Sequence, residues 1–335
     1  MPALPILAGN TLDPGTRTEV INTYAQQYKG VVDKLGGVMQ FAVPSTHLTE
    51  IYSFFETPPY ASRWPRGQDR KRKGFKSRKF TVTNHDWSVG TRWHLNDEQD
   101  SQIPLVAHAR AVGTRAPNIM ERVFFQFLTA ATNLDLMPAV PNAPDGVAFF
   151  SNATRFGRAN GNSFTGSGVA TGSAILTDFY TARGQFRGYQ DTEGQPLLDE
   201  AAIDDGIYHI FYNSDNDLVF RQAFQQSFPT VIVKNVAATE NVAVTSQSNI
   251  IENTGVKIAL HPTQRITDNK WPIIIEHASI PIKPVVQQSR SPMVERVETM
   301  ENSDRARDTK FVGFDVDWRE TYFINEPYMA CQVSN

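Results

Sequence analysis

Apolar positions near the start of the chain recur at helical spacing. Val20, Ile21, Tyr24, Tyr28, Val31, Val32 and Leu35 line one face. Asp13-Pro14 places a capping side chain before a proline at the first helical position, and Gly36-Gly37 ends the run. The pattern predicts an amphipathic helix over 14–35, used either for core packing or as an arm lying on a neighbouring subunit. Phe80 and Val82, then Trp87, Val89, Thr91 and Trp93, alternate with polar or small residues and predict strands. Residues 102–132 carry the strongest helical pattern, with Ser101 as cap, Pro104 in the first turn, and Ile119, Met120, Val123, Phe124, Phe127, Leu128 and Ala131 on a broad apolar face. Pro117 predicts a kink or a split in that helix.

A Pro-, Gly-, Asn- and Ser-rich loop region follows from Met137 to Ser173. Ile175, Phe179, Ala182 and Phe186 predict a helix, and 207–212 a strand. Asp215 is placed to cap a helix that buries Leu218, Val219, Ala223 and Phe224. Short strands are expected at 230–233, 256–260 and 273–276. The stretch 280–324 reads as mostly β, clearest where Phe314, Val316 and Trp318 alternate with Asp315, Asp317 and Arg319. Helices and strands do not interleave regularly, which favours α+β over a doubly wound α/β sheet. No internal repeat is present.

Composition bounds this picture. At 335 residues the chain holds one large domain with insertions or two ordinary ones. Its 40% apolar and 11% aromatic content argues against long disorder. No apolar run reaches the roughly 18 residues of a membrane span, and the N-terminus lacks the basic region of a signal peptide. The single cysteine, Cys331, excludes an internal disulfide and a cysteine metal cluster.

Charge is uneven. The net charge is −3, yet residues 63–79 hold nine cations (Arg63, Arg66, Arg70, Lys71, Arg72, Lys73, Lys76, Arg78 and Lys79) against one acid, Asp69. Flanked by strand signals, this segment predicts a long basic hairpin reaching away from an acidic body. A hairpin of that kind is marginal alone and needs something to lie against. Three readings stay open: a solvated loop, phosphate contact with nucleic acid aided by Trp64 and Phe75, or ion pairing with an acidic surface of another copy.

Enzyme motifs are absent. There is no GxxxxGK[ST] phosphate loop and no GxSxG elbow. Gly166, Gly168 and Gly172 miss the dinucleotide spacing and lie in a Ser/Gly-rich loop. The seven histidines show no metal-ligand spacing, although His85 and His94 flank one strand and are candidates for neighbours on a sheet face. Acids at Asp97, Glu98 and Asp100, and at Asp199, Glu200, Asp204 and Asp205, fit solvated helix starts better than a carboxylate pair across a cleft. No catalytic residue, cofactor site or metal site is expected. A hydrolase with a scattered active site is the remaining enzymatic reading.

Taken in order, the motifs resemble the major head subunit of tailed phages of the Mu type. The stretch 44–70 carries Tyr52, Pro59, Trp64, Gly67 and Arg70 in the family's sequence; 80–100 is similar to its strand pair, with Asn84 before an aromatic. Asp145, Gly146, Phe149 and Phe150 match an Asp-Gly-x-x-Phe-Phe-Ser signature, which Asn152 and Ala153 follow where the family has a histidine. Pro262, Asp268 and Trp271 fall in register in 249–275; 278–292 and 308–320 resemble the proline–lysine–proline run and the closing strand. The resemblance spans about residues 15–330.

It implies an α+β Hong Kong 97-like capsid fold. The implied division is an N-terminal arm with a helix at 1–47, an extended loop with flanking strands at 48–100, a peripheral domain with spine helix at 101–174, an axial domain at 175–272, and return strands at 273–335. It further implies a non-enzymatic major capsid protein that assembles in the host cytoplasm into hexamers and pentamers of an icosahedral virion shell around double-stranded DNA. Portal, scaffold or decoration proteins of the same phage are the implied partners, and no membrane is involved. The nine cations of 63–79 are the implied subunit contact, with Lys71, Lys73, Lys76 or Lys79 as candidate cross-link donors. The alternative is a DNA-binding protein that uses the same basic loop.

Overall fold

The computed structural model describes residues 14–57, 63, 76–94, 111–130, 136–137, 140–159, 161–191, 193–225, 256–280, 282–298 and 303–335. The chain divides into two compact units. One comprises Met1–Phe54, Ser77–Gly146 and Val285–Asn325; the other comprises Phe55–Lys76, Val147–Pro284 and Glu326–Asn335. The chain therefore passes from one unit to the other at Gly146, Pro284 and Asn325, and within the strands of the basic hairpin.

In the first unit, α1 (Pro14–Leu35) follows the predicted bounds. Its Asp13 cap lies outside the described residues. Tyr24, Tyr28, Val31 and Leu35 are buried, which assigns the described face to packing within the chain. The Lys34 ammonium pairs with Glu121 at 2.8 Å and lies 5.7 Å from the centre of the Phe125 ring, fastening α1 to the next helix. That helix is interrupted where proline predicts it: residues 111–115 are helical, Pro117 caps a new start, and α2 runs Asn118–Thr129. Proline lacks the amide for the missing bond and its ring crowds the preceding turn. Ala130, in the left-handed region at φ 53°, stops α2 short of 132. The start of the expected 102–132 helix lies outside the described residues.

Four strands form this unit's sheet, in the order β1 (Met39–Pro44), β9 (Val285–Glu298), β10 (Phe311–Ile324), β4 (His85–His94). β1 and β9 run parallel; β9–β10 and β10–β4 are antiparallel. A bulge in β1 leaves Ala42 at φ 55°, and its amide is satisfied by the Gln287 side chain at 3.2 Å. Ser303 caps α6 (Asp304–Thr309), a short helix between β9 and β10 inside the expected all-β stretch. Within β10, Glu320 is buried, 5% exposed. Tyr322 and Gln287 donate to its carboxyl, and burial holds it above the usual carboxylate range. His85 and His94 are not neighbours: they occupy opposite ends of β4, opposite Glu320 and Phe311.

The second unit carries a five-stranded sheet, ordered β5 (Ser163–Thr165), β11 (Ala330–Ser334), β8 (Trp271–Glu276), β6 (Ile207–Asn213), β7 (Lys257–Thr263). Helix α3 (Gly172–Arg187), capped by Thr171, lays Ile175, Phe179, Ala182 and Phe186 into one core with Tyr208, Ile210, Ile273, Ile275, Cys331 and Val333. The short α4 (Glu200–Asp205) starts at Asp199, and its Asp204 pairs with Arg183 at 2.5 Å and Arg187 at 2.6 Å. β8 and β11 belong to this sheet. β8 pairs with β6, and the tail returns to pair with β8 and β5. Cys331, inside this core, has its thiol pushed up to about 12 by burial.

Helix α5 differs from expectation. A 3-10 turn, Ser214–Asn216, precedes it, and Asn213 rather than Asp215 accepts the turn's amide. α5 then runs Asp217–Gln225. Starting at 217, the helix turns Leu218 outward, 65% exposed, and buries Phe220 completely. The Phe220 ring stacks on Tyr212 at 4.0 Å, which is the contact that sets the helix's rotation. The expected strand at 230–233 lies outside the described residues.

Candidate subunit interface

The basic segment sits on a two-stranded ribbon. Among the described residues β2 (Thr49–Thr57) and β3 (Lys76–Thr83) pair with each other as a two-stranded ribbon. Arg63 and Lys79 are exposed. Lys76 and Arg78 are strand residues of β3; Arg66, Arg70, Lys71, Arg72 and Lys73 lie outside the described residues.

The root of the ribbon is anchored from both sides. On the apolar side, Tyr52 of β2 and Phe80 of β3 stack at 5.6 Å, and each meets Phe323 of β10, at 5.1 and 5.7 Å. Val82, Val286 and Val43 complete the cluster. Alternation explains it: 52, 80 and 82 face inward, while Ile51, Thr81 and Thr83 are exposed. On the polar side, buried Asn84 makes four bonds. Its amide donates to Ser45 Oγ at 2.9 Å and to the His47 carbonyl at 2.8 Å. Its oxygen accepts from Gln288 Nε2 at 2.9 Å, and its backbone N–H donates to the Leu48 carbonyl at 2.8 Å.

Glu50 ties the turn before β2. One carboxylate oxygen accepts from Thr46 N at 2.9 Å, His47 N at 3.0 Å and Ser45 Oγ at 2.9 Å. The two backbone amides, then the Ser45 hydroxyl, hold that carboxyl below its ordinary value. Tyr52 Oη donates to Gln288 Oε1 at 2.5 Å. A rigid root thus presents a paired strand whose outer face carries Ile51, 67% exposed, beside Leu48, 53% exposed. Apolar side chains of that exposure suit contact with another chain. Tyr52 and Asn84 were legible as motif positions. A Gln after the proline–lysine–proline run was part of the motif order too, but its bond to Asn84 arises only when folding brings β9 to the ribbon. Ser45 and Glu50 carried no signal, since a polar turn of this kind has no periodic pattern.

The second motif, Asp145–Phe150, lies where the chain passes from the first unit into the second. Gly146, at φ 82°, turns the chain after Asp145, and Phe149 is buried with its ring 4.5 Å from Phe150. The Phe149 carbonyl accepts from Asn162 Nδ2 at 2.8 Å and Arg155 Nη1 at 3.0 Å. Asn162 is wholly buried, and Nδ2 also lies 3.1 Å from the carbonyls of Pro327 and Ala330, so one side chain joins the motif to the start of β11. The preceding Gly161 is required: a Cβ there would lie 2.3 Å from the Ser151 carbonyl oxygen. Arg155 and Asn162 gave no sequence signal either. Nothing in the motif's geometry assembles a catalytic set. The Gly166 loop offers no phosphate cradle, since Asp178 already accepts the Ser167 amide at 2.8 Å. Among the described residues, no cluster of His, Cys, Asp or Glu is arranged to hold a metal ion.

No family model matches the chain, and no curated protein matches it. Solved structures do. The chain resembles one from the asymmetric unit of the bacteriophage PhiM1 mature capsid at TM-score 0.51 and 14% identity, covering 98% of this chain and 89% of that one. It resembles a chain of Mycobacterium phage Patience at TM-score 0.53 and 9% identity, covering 99% and 90%. A Microbacterium phage Oxtober96 chain gives TM-score 0.50 and 12% identity, covering 98% and 93%. Identities this low carry the fold alone, and they carry it over almost the whole chain: the protein has the α+β, Hong Kong 97-like fold of phage capsids.

Proposed function

We propose that this chain is the major capsid protein of a tailed phage, a non-enzymatic subunit whose copies close into an icosahedral shell around double-stranded DNA. The observation that carries the reading is the match of nearly the full chain to a chain of a mature phage capsid. The motif order of residues 15–330 supports the Mu type within that class. In this reading 1–47 is the N-terminal arm with its helix, 48–100 the extended loop, 101–174 the peripheral domain with spine helix, 175–272 the axial domain and 273–335 the return strands. The virion is its destination, and portal, scaffold or decoration proteins of the same phage are its further partners.

The ribbon gives the reading its mechanism. Heterologous contacts between copies generate rings when the rotation closes. A basic ribbon laid across a neighbour places Arg63, Arg66, Arg70, Lys71, Arg72, Lys73, Lys76, Arg78 and Lys79 against the acidic body of the next copy. Exposed ion pairs contribute about 0.2–1 kcal/mol each, and arginine adds bidentate geometry. Multiplied over a ring, such contacts suffice to select a closed assembly, and they weaken with salt.

Electron microscopy with light scattering on the purified chain, at low and high salt, tests this. Closed shells or rings of five or six subunits are expected, with assembly lost when Arg70, Lys71, Arg72 and Lys73 are all changed to Gln. A salt-insensitive monomer at high concentration would overturn it. Steeply salt-dependent DNA binding by that monomer would favour the DNA-binding alternative.

A further inference from the structure

Four titratable side chains in the second unit form one connected line that the shell reading does not use. His209 of β6 and His261 of β7 meet through Nδ1 and Nε2 at 3.0 Å. His209 Nε2 lies 2.9 Å from Glu276 Oε2 of β8. Lys283 Nζ, after β8, donates to the other Glu276 oxygen at 2.8 Å. The imidazoles are nearly parallel, 14° apart, and Phe211 stacks on His261 at 4.6 Å. His209 is 8% exposed.

Donor and acceptor logic gives the line a direction. A carboxylate only accepts, so His209 Nε2 carries its proton toward Glu276. In neutral His209, Nδ1 must then accept, and His261 Nε2 donates to it. One added proton fits: His261 becomes imidazolium and the bond keeps its sense. A second does not, because two N–H groups would then face each other at the 3.0 Å bond. Two lysines lie near the line. Lys283 faces Glu276, and Lys257, on the His261 strand, reaches the Asp205 carbonyl at 3.5 Å. Burial works against the charged form of Glu276, but the bonds from Lys283 and His209 hold its carboxyl below the ordinary value, so it stays ionised.

We propose that the His209–His261 bond is a proton-limited clasp that fastens edge strand β7 to β6 and opens on acidification. Among the described residues β7 has one strand neighbour, β6, with which it pairs from Ile207–Lys257 to Asn213–Thr263. The side-chain bond lies midway along that ladder, so breaking it acts directly on the pairing of β7 with β6. Desolvation, partly offset by Glu276, lowers the proton affinity of His209 below that of an ordinary imidazole, about 6.5. The opened strand exposes ordinary histidines and binds more protons than the closed one. Opening then grows about tenfold per pH unit for each extra proton taken up below that value. This inference does not depend on the shell reading.

Hydrogen exchange followed by mass spectrometry on the full chain between pH 7.5 and 5, corrected for intrinsic exchange rates, tests it. Peptides covering 257–263 are expected to lose protection as pH falls through and below about 6.5, while β9 and β10 keep theirs. His261→Phe retains the ring stack with Phe211 and removes the titrating partner, so its β7 should show no such dependence. Glu276→Gln withdraws the charge that favours the first proton and should move the onset to higher pH. Constant β7 protection in the native chain, simultaneous loss in β9 and β10, or the same loss in His261→Phe would each overturn the clasp.

Discussion

Gln288 donates its side-chain amide to the Asn84 oxygen at 2.9 Å, across 204 positions of chain, and thereby joins β9 to the turn between β3 and β4. Asn84 is the one residue type that serves here, since the site asks for two donors and one acceptor from a single short side chain.

Asn84→Asp keeps the shape and removes both amide donors. The Ser45 hydroxyl and the His47 carbonyl each lose that donor and face a carboxylate oxygen instead. A loss of about 2 kcal/mol is expected from leaving such a group unsatisfied. Urea unfolding measures it through a lower midpoint at unchanged slope. Equal midpoints for the two proteins would remove Asn84 from the anchor of the ribbon.

Glu326 lies buried beside Tyr328, and its carboxyl is raised to about 7, mainly by desolvation. The unfolded chain titrates near 4.5. Between these values the folded state holds the extra proton, so stability is fullest below 4.5 and declines as pH rises through about 7. Glu326→Gln should flatten that part of the profile and stabilise the protein at pH 8, by up to about 3 kcal/mol. Thermal melts of both proteins from pH 4.5 to 8 read it directly; a parallel pair of curves would refute the assignment.

Positions 218 and 220 of α5 should behave in opposite ways. Phe220→Ala empties a site stacked on Tyr212 and edge-on to Trp271 at 5.4 Å, for an expected loss of about 3–5 kcal/mol. Leu218→Lys, on the exposed side, should stay within about 0.5 kcal/mol. Chemical denaturation of the two variants separates the observed rotation of the helix from one that buries Leu218.

Helical periodicity was the most legible signal. Tyr24, Tyr28, Val31 and Leu35 marked α1 because a helix needs only neighbours three and four residues apart to declare its buried face. Pro117 marked the split for an equally local reason, the missing amide. The alternation of Trp87, Val89 and Thr91 marked β4. The charge contrast of 63–79 was legible by counting, and the order of soft motifs pointed to the capsid fold that the solved structures then matched.

What stayed hidden was whatever depends on partners distant in sequence. β11 is five residues long with no alternation to announce it; it is a strand because β5 and β8 offer it ladders on both sides. Asn162 and Gln288 look like ordinary polar residues until folding brings distant polar groups to them. His209 and His261 lie on separate strands, and only the parallel pairing of β6 with β7 makes them neighbours. The sequence alone determined the elements whose stabilising contacts repeat within a few residues, and the net charge each region presents. The tertiary structure decided pairing, register and the satisfaction of buried polar groups, because each of those requires two segments that covalent proximity does not bring together.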